Sequence, residues 1–173
     1  MNTGIMMLVI AGTKQGKTTK VKKIIGSNAP CLIYDVNGEY HDIAASTDVT
    51  EKRSRYFSKD VNDFLQIAGT KHNGTICVFE EATGFFKGAT NKKTSQIIVG
   101  KRHPVEHGGR SLIFVFHTVN SVPPELLSNA DFISLGRTGD EGQVIKRKSM
   151  KCYRAWQELQ GKPLYHFVTF KNI

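Results

Sequence analysis

A short glycine-containing segment near the start of the chain lies between an apolar run and a helical pattern. The apolar run occupies 5–10, and the residues that follow it at 11–18 read Ala-Gly-Thr-Lys-Gln-Gly-Lys-Thr. Glycines at 12 and 16 allow a turn tight enough for successive N–H groups to point at phosphate oxygens, and the next helix adds its positive N-terminal end. Strand, loop and helix in this order predict a phosphate-binding P-loop and an α/β fold.

The residue types in this loop match the separate parts of a bound nucleotide. Lys17 is expected to reach the β- and γ-phosphates, and the Thr18 hydroxyl is expected to hold Mg²⁺. Ala11 replaces the glycine that usually opens such a loop, a mild departure because the closest backbone approaches come later. The sequence therefore predicts ATP and Mg²⁺ as cofactors. The predicted nucleotide-binding residues are Gly12, Thr13, Lys14, Gln15, Gly16, Lys17, Thr18 and Thr19.

Length and composition predict a single globular domain over residues 1–173. The chain is 39% hydrophobic and 23% charged, and none of its apolar runs approaches the roughly 18 residues that span a membrane. The sequence begins Met-Asn-Thr-Gly without a signal peptide pattern, so we expect a cytoplasmic protein, in the host cytoplasm or virion-associated if it is viral. Cys31, Cys77 and Cys152 are widely spaced, which favours reduced core thiols over a zinc site.

The net charge of +9 exceeds what a nucleotide site alone requires. Nucleic acid is the polyanion that such a surplus most naturally serves, through salt-sensitive contacts to its phosphates. Charge alone leaves open the alternative of a solvated basic surface. The basic residues gather at 20–23, 52–55, 92–93, 101–102 and, most densely, 146–154.

Apolar runs alternate with helix-compatible segments along the chain. This alternation predicts a mainly parallel sheet with helices on both faces. The predicted strands lie at 5–11, 31–36, 75–80, 111–117, 131–136 and 165–170. Helices are predicted at 61–68, where Asp60 is a candidate N-cap, at 94–103, where Pro104 ends the pattern, and at 122–127. The segments 41–58 and 84–93 are expected to be loops.

Two adjacent acids follow the third apolar run, at the edge where open α/β sheets bind ligands. Adjacent residues on a strand point to opposite sides, so Glu80 and Glu81 should have different roles. We expect Glu80 to support Mg²⁺ and Glu81 to orient or deprotonate the attacking water. The alternative is a solvent-exposed acidic strand end. The second acid favours hydrolysis over phosphate transfer by a kinase.

At this point the sequence resembles the FtsK/HerA superfamily of DNA-pumping ATPases. The string 32–40, Leu-Ile-Tyr-Asp-Val-Asn-Gly-Glu-Tyr, is similar to the signature of that superfamily's second strand. Glu-Glu-Ala at 80–82 is similar to its acidic motif, and 112–123 resembles its sensor strand and the loop after it. The motifs occur in the family's order from the P-loop to about residue 136. The resemblance implies a RecA-like P-loop fold.

Two positions depart from the family pattern. The sensor strand commonly ends in Gln, whereas this chain has His117, whose imidazole can also donate to a γ-phosphate or to the attacking water. The family places an arginine that acts on the neighbouring subunit just before this strand, and here 104–107 look inserted at that place. Arg102 and Arg110 are therefore rival candidates for this arginine finger, and either of them implies a ring.

The roles of five further residues stay open. Asp35 and Glu39 are expected either to orient water or Mg²⁺ at the end of the second strand or to cap the next segment. The string Phe85-Phe86-Lys87 permits a pore loop that touches DNA, although core packing of the phenylalanines is favoured.

Together these features predict an ATPase that couples hydrolysis to DNA translocation as a homo-oligomeric ring, a pentamer or hexamer. The small size resembles the viral genome-packaging ATPases of the superfamily, whose expected partners are DNA and capsid or portal-vertex proteins. One alternative is an assembly or secretion ATPase of the filamentous-phage type, which normally continues into a membrane segment. The others are a small-molecule P-loop kinase and a non-catalytic nucleic-acid-binding module with a vestigial P-loop.

Overall fold

The computed structural model describes residues 4–43, 53–56, 61–70, 74–86 and 110–172, and all structural statements concern these residues. Seven strands form one sheet. They are β1 (Met6–Ile10), β2 (Cys31–Tyr34), β3 (Arg53–Tyr56), β4 (Ile76–Phe79), β5 (Ser111–Phe116), β6 (Phe132–Leu135) and β7 (Val168–Lys171). The helices of the described ranges are α1 (Lys17–Ile25), α2 (Val61–Thr70), α3 (Ala82–Phe85), α4 (Pro124–Asn129), α5 (Gly142–Lys148) and α6 (Met150–Leu159).

The strand order places the P-loop strand inside the sheet. The order is β3-β2-β4-β5-β1-β6-β7, and all neighbours are parallel except β7, which runs antiparallel to β6. Ile10 at the end of β1 lies opposite Phe116 of β5 and Leu135 of β6. The carboxyl ends of β1, β5 and β4 therefore meet at one edge, as they must in a parallel sheet. The predicted α/β fold with a mainly parallel sheet is confirmed.

Alternate residues of β1 pack into two separate cores, one on each face of the sheet. Leu8 and Ile10 join one core with Phe114, whereas Val9 joins the other with Val21 of α1. A strand covered on both faces needs an unbroken apolar run, which is what 5–10 supplies. Full burial of each such side chain contributes about 1.5–3 kcal/mol. This packing fixes the position of the strand end from which the next loop begins.

Several sequence predictions of secondary structure were incomplete. Arg53–Tyr56 forms an edge strand within the predicted loop 41–58, and its polar composition gives no strand signal. Ala82–Phe85 is helical, so the predicted loop 84–93 begins inside a helix. Two helices, Gly142–Lys148 and Met150–Leu159, occupy a segment for which no element was predicted. The predicted helix 94–103 and Asp60 lie outside the described residues.

The cysteines and the helices bear on two further predictions. Cys31, Cys77 and Cys152 are buried thiols, as predicted for core residues. Within the described ranges, every helix is too short or too polar to cross a bilayer.

Candidate nucleotide-binding site

The P-loop leaves the sheet at the carboxyl end of β1 and is tied to the neighbouring strand ends. The Ala11 N–H donates to the Phe116 carbonyl (3.1 Å), and the Gly12 N–H donates to the Arg137 carbonyl (2.7 Å). Gly16 has φ +80°, a left-handed conformation that glycine adopts without steric cost. The chain then enters α1 at Lys17, so the loop ends at a helix N-terminus, the arrangement that binds phosphate.

Lys17 lies where the P-loop meets the end of β5. Its ammonium Nζ donates to the Gly12 carbonyl (3.1 Å) and lies 3.2 Å from Nδ1 of His117. Burial lowers the pKa of Lys17, while the nearby carboxylates of Glu81, Glu80 and Glu39 oppose that shift. The lysine is thus partly desolvated, and its positive charge is stabilised by three nearby carboxylates.

His117 bridges this lysine to the second acid. Its Nε2 lies 2.8 and 2.7 Å from the two carboxylate oxygens of Glu81. An ammonium group only donates hydrogen bonds, so Nδ1 of His117 must accept from Lys17. A neutral imidazole then carries its proton on Nε2 and donates it to Glu81. Lys17, His117 and Glu81 therefore form a hydrogen-bond chain that runs from the P-loop to a carboxylate. In this chain, Lys17 donates to His117 and His117 donates to Glu81.

Glu81 reaches this position because the backbone turns sharply after β4. Its φ and ψ are 54° and 37°, a left-handed conformation that is uncommon for residues other than glycine. The Asn37 side-chain amide donates to its carboxylate from the loop after β2 (3.3 Å). Strain of this kind persists where neighbouring contacts hold it, and it gathers at functional sites. The carboxylate remains about one-third exposed, so water can reach it.

Glu80 points away from Glu81 into the protein. Its side chain is 5% exposed and accepts a hydrogen bond from the Tyr40 hydroxyl. Burial raises the pKa of Glu80 to about 7, with the charges of Glu39 and Glu81 acting in the same direction and the Tyr40 hydrogen bond and Lys17 opposing. The two adjacent acids thus have different surroundings, in agreement with the predicted division between them, while their roles stay predictions.

Asp35 and Glu39 separate into two different roles. Asp35 is buried and accepts from the N–H groups of Glu39 (2.8 Å) and Tyr40 (3.1 Å), which closes the turn after β2. An ion pair with Arg55 of β3 (3.5 Å) adds to this arrangement. The Glu39 carboxylate instead accepts from the Thr18 hydroxyl. Asp35 therefore positions the turn, and Glu39 lies at the site itself.

The oxygen atoms around Thr18 suit Mg²⁺. Its hydroxyl and the Glu39 carboxylate are hard ligands, and Mg²⁺ characteristically combines one or two protein oxygens with phosphate and water. The residues present therefore fit a nucleotide-bound Mg²⁺. In the described part of the chain, no cluster of three or more His, Cys, Asp or Glu side chains is arranged to hold a metal by itself.

Sequence reasoning missed Asn37 and Tyr40 as site residues. Both belong to the Asn-Gly-Glu-Tyr string after β2, so the signal was present in the family motif. Their partners, Glu81 and Glu80, lie more than 35 residues further along the chain. Only the pairing of β2 with β4 reveals that these segments meet.

Of the two predicted finger arginines, Arg110 lies apart from this cluster. Arg110 precedes β5, at the sheet edge opposite the P-loop, where it is 8% exposed and donates to the Ala68 carbonyl of α2 (2.8 Å). In this chain Arg110 is therefore packed against α2, and its role as a finger stays a prediction. Arg102 lies outside the described residues. Phe86 is 7% exposed and packs on Phe114, which supports the favoured core assignment for that phenylalanine.

Comparison with solved structures identifies proteins of the same fold. The genome packaging NTPase B204 from Sulfolobus turreted icosahedral virus 2, in complex with sulfate, matches with a TM-score of 0.80 at 17% identity, over 99% of this chain and 93% of that chain. Its complex with AMPPCP matches with a TM-score of 0.76 at 18% identity, over 99% and 94%. B204, the DNA-packaging ATPase from Sulfolobus Turreted Icosahedral Virus, matches with a TM-score of 0.69 at 19% identity, over 99% and 94%.

These likenesses establish the fold at low sequence identity. No protein-family model matches the sequence, and no curated protein matches it. The resemblance to viral genome-packaging ATPases that the sequence motifs predicted is confirmed as a resemblance of fold.

Proposed function

We propose that this chain is an ATPase that hydrolyses ATP to move DNA, as a homo-oligomeric ring in viral genome packaging. The observation that supports it most directly is the hydrogen-bond chain Lys17, His117, Glu81. It joins the proposed phosphate-binding lysine to a carboxylate that water can reach. Hydrolysis needs such a group to accept the proton of the attacking water. The structural neighbour B204 was crystallised with ATP-gammaS and AMPPCP, and the shared fold supports ATP as the nucleotide here.

In the proposed reaction, the loop N–H groups and Lys17 hold the β- and γ-phosphates at the N-terminus of α1. Thr18 and Glu39 would hold Mg²⁺, with Glu80 as the other predicted ligand, and the ion would supply positive charge to the phosphate oxygens. Glu81 accepts a proton from water as the water oxygen bonds to the γ-phosphorus. The bond from that phosphorus to the β–γ bridging oxygen breaks, which yields ADP and inorganic phosphate. His117 donates to Glu81 and keeps its carboxylate in place.

The proposed contact with DNA uses a basic surface on α5 and α6. We define this basic surface by five residues, Lys146, Arg147, Lys148, Lys151 and Arg154. Four of them are exposed, and Lys148 reaches the Asn120 carbonyl at 3.4 Å. The chain has no acidic residue between Glu141 and Glu158, so this stretch is uniformly positive. Such a stretch is suited to contacts with the phosphates of DNA and predicts salt-sensitive binding.

The ring itself is proposed from the arginine finger. With Arg110 packed against α2, Arg102 is the candidate that would complete the active site of a neighbouring subunit. A finger of this kind is typically worth about 10³–10⁵ in rate. Capsid or portal-vertex proteins are the further partners of a packaging ring.

The proposal is tested by steady-state ATPase activity, titrated with single- and double-stranded DNA at two salt concentrations, with mass measured by light scattering. We expect stimulation that weakens at higher salt, a mass of five or six chains, and loss of about 10²-fold or more in Glu81→Gln. Glu158→Gln, an exposed acid on α6, is the matched control and should retain full activity.

Other outcomes favour other functions. ATPase activity that neither form of DNA stimulates, together with a monomeric mass and phosphate transfer to a small acceptor, would replace the translocase with a kinase. Full activity in Glu81→Gln would show that the assigned base is wrong.

A further inference from the structure

A cleft of about 490 Å³ opens beside the first turns of α1. One wall comes from α1, through Gly16, Thr19 and Lys20, with Lys23 one turn further on. Gly16 lies three and four residues before Thr19 and Lys20, and Lys23 lies four and three residues after them, so these positions lie along one side of the helix. The other wall is the segment 165–167, which enters β7. Two segments almost 150 residues apart thus enclose a space of the size that small ligands occupy.

The wall before β7 carries two aromatic rings. Tyr165 is 64% exposed and has φ +66°, a left-handed conformation that is rare for an aromatic residue. Its ring lies against the P-loop, because a Cβ added to Gly16 would come within 3.1 Å of the Tyr165 Cδ1. An exposed aromatic ring in a strained backbone is costly unless neighbouring contacts hold it, and such residues gather where ligands bind.

Phe167 forms the inner part of the same wall. Its ring packs so closely on the loop after β6 that a Cβ added to Gly136 would lie 2.9 Å from its Cε1. The Lys20 ammonium lies 5.7 Å from the centre of this ring, within the range of a cation–π contact. The cleft therefore combines flat apolar surface with the positive charge of Lys20 and Lys23.

The cleft is continuous with the phosphate loop. Gly16 belongs to both, and Thr19 lies less than one turn of helix after Thr18. The ribose and base of a nucleotide are covalently attached to its phosphates, so a nucleotide whose phosphates bind at the N-terminus of α1 has to place them next to the phosphate loop. The cleft begins at this point, and its aromatic wall offers the stacking surface that a base requires.

We propose that this cleft binds the base and ribose of the nucleotide, with a purine ring stacked on Tyr165. The inference rests on the proposed function, because it places the nucleoside part of a nucleotide whose phosphates bind the P-loop. It adds residues of the segment 165–167 to a site whose other side chains lie between 17 and 117.

The experiment compares ATP with inorganic tripolyphosphate, which has the phosphates and lacks the nucleoside. Isothermal titration calorimetry with Mg²⁺ present should show that the unaltered chain binds ATP more tightly than tripolyphosphate. In Tyr165→Ala we expect ATP affinity to fall by about 5- to 50-fold, as when a base loses one aromatic stacking partner, with tripolyphosphate affinity unchanged. Tyr165→Phe keeps the ring and should bind ATP normally. Leu164→Ala, which removes the neighbouring exposed side chain, is the matched control.

Each contrary result has a distinct meaning. Equal loss of both ligands in Tyr165→Ala would assign the ring to support of the P-loop and overturn the nucleoside site. Equal affinity of the unaltered chain for both ligands would also overturn it, while leaving phosphate binding intact. If the unaltered chain bound neither ligand, the proposed function would fail and the nucleoside site with it.

A second measurement locates the base directly. Irradiation of bound azido-ATP should label peptides from α1 or from 163–171. Label confined to other parts of the chain would overturn the proposal even if Tyr165→Ala weakened ATP binding.

Discussion

His117 connects Lys17 of the P-loop to Glu81, the proposed base. One ring nitrogen contacts Lys17 and the other contacts Glu81. A side chain with only one polar atom could not make both contacts. A glutamine amide has an oxygen that can accept from the lysine and a nitrogen that can donate to the carboxylate. His117 can therefore make the same two contacts as the glutamine that is common in the family whose motifs this sequence resembles.

We accordingly expect His117→Gln to retain most of its ATPase activity and His117→Ala to lose about 10- to 100-fold in kcat, because Glu81 loses its orienting donor. Steady-state kinetics at saturating ATP measure the difference. Thermal unfolding of each variant separates this effect from loss of fold. Similar kcat values for the alanine and glutamine variants would contradict the bridging role.

Glu80 gives the fold a dependence on pH. Its pKa is raised from about 4.5 in the unfolded chain to about 7 by burial, so the folded protein holds the proton more tightly. Stability from this group is fully present below pH 4.5 and is lost as the pH rises through 7. Glu80→Gln stays neutral and keeps an oxygen for Tyr40. Without nucleotide or Mg²⁺, we expect its Tm to exceed that of the unaltered chain more at pH 8 than at pH 5.

Differential scanning calorimetry across this pH range measures that difference. Glu158→Gln removes an exposed acid and should leave the pH dependence of the Tm unchanged. A constant Tm difference between Glu80→Gln and the unaltered chain would show that Glu80 does not titrate in this interval.

Among the elements, those buried on both faces were predictable from the sequence. β1 and β5 have continuous apolar runs because helices cover both of their faces, and the P-loop motif marks the start of α1. β3 was missed because an edge strand draws its hydrogen bonds from one neighbour and needs little apolar content. α5 and α6 were missed because each buries only a narrow stripe, and Ser149 divides them by capping the second.

The site residues likewise divide into those that the sequence predicts and those that it does not. Lys17, Thr18 and the acid pair follow local patterns that the sequence displays. The contacts of Tyr40 with Glu80 and of Tyr165 with Gly16 depend on which distant segments the sheet brings together. Side-chain chemistry alone could not have predicted these contacts, because tyrosines occur equally well in cores and on surfaces.

The basic surface on α5 and α6 leads to a prediction about the salt dependence of DNA binding. The combined change Lys146→Ala, Arg147→Ala and Lys151→Ala removes three exposed cations. If all three contact phosphates, the slope of log affinity for double-stranded DNA against log salt should become shallower by about 2–3. Fluorescence anisotropy with labelled DNA measures the slope. ATPase activity without DNA should be unchanged, because these residues lie outside the nucleotide site.

Lys162→Ala, an exposed lysine in the turn after α6, is the matched control and should alter the slope by less than about 1. An unchanged slope in the triple variant would place the DNA contact elsewhere on the chain.

At the scale of the whole molecule, the proposed ring would complete each active site with an arginine from the neighbouring chain. Glu81→Gln should inactivate the site of its own subunit, whereas Arg102→Ala should inactivate the site of its neighbour. Each variant alone then gives an inactive ring. When the two are mixed, an Arg102→Ala subunit still has Glu81, and a Glu81→Gln neighbour still offers Arg102, so some interfaces are complete.

Random mixing in equal amounts should restore about a quarter of the interfaces, because a head-to-tail ring pairs each site with one neighbour. The measurement is ATPase activity after subunit exchange, compared with each variant alone. Arg110→Ala is the control: its guanidinium donates to Ala68 within its own subunit, so mixing it with Glu81→Gln should restore nothing beyond its own activity. Recovery with Arg110→Ala and none with Arg102→Ala would exchange the roles of the two arginines. Absence of recovery in both mixtures would indicate a site completed within one chain.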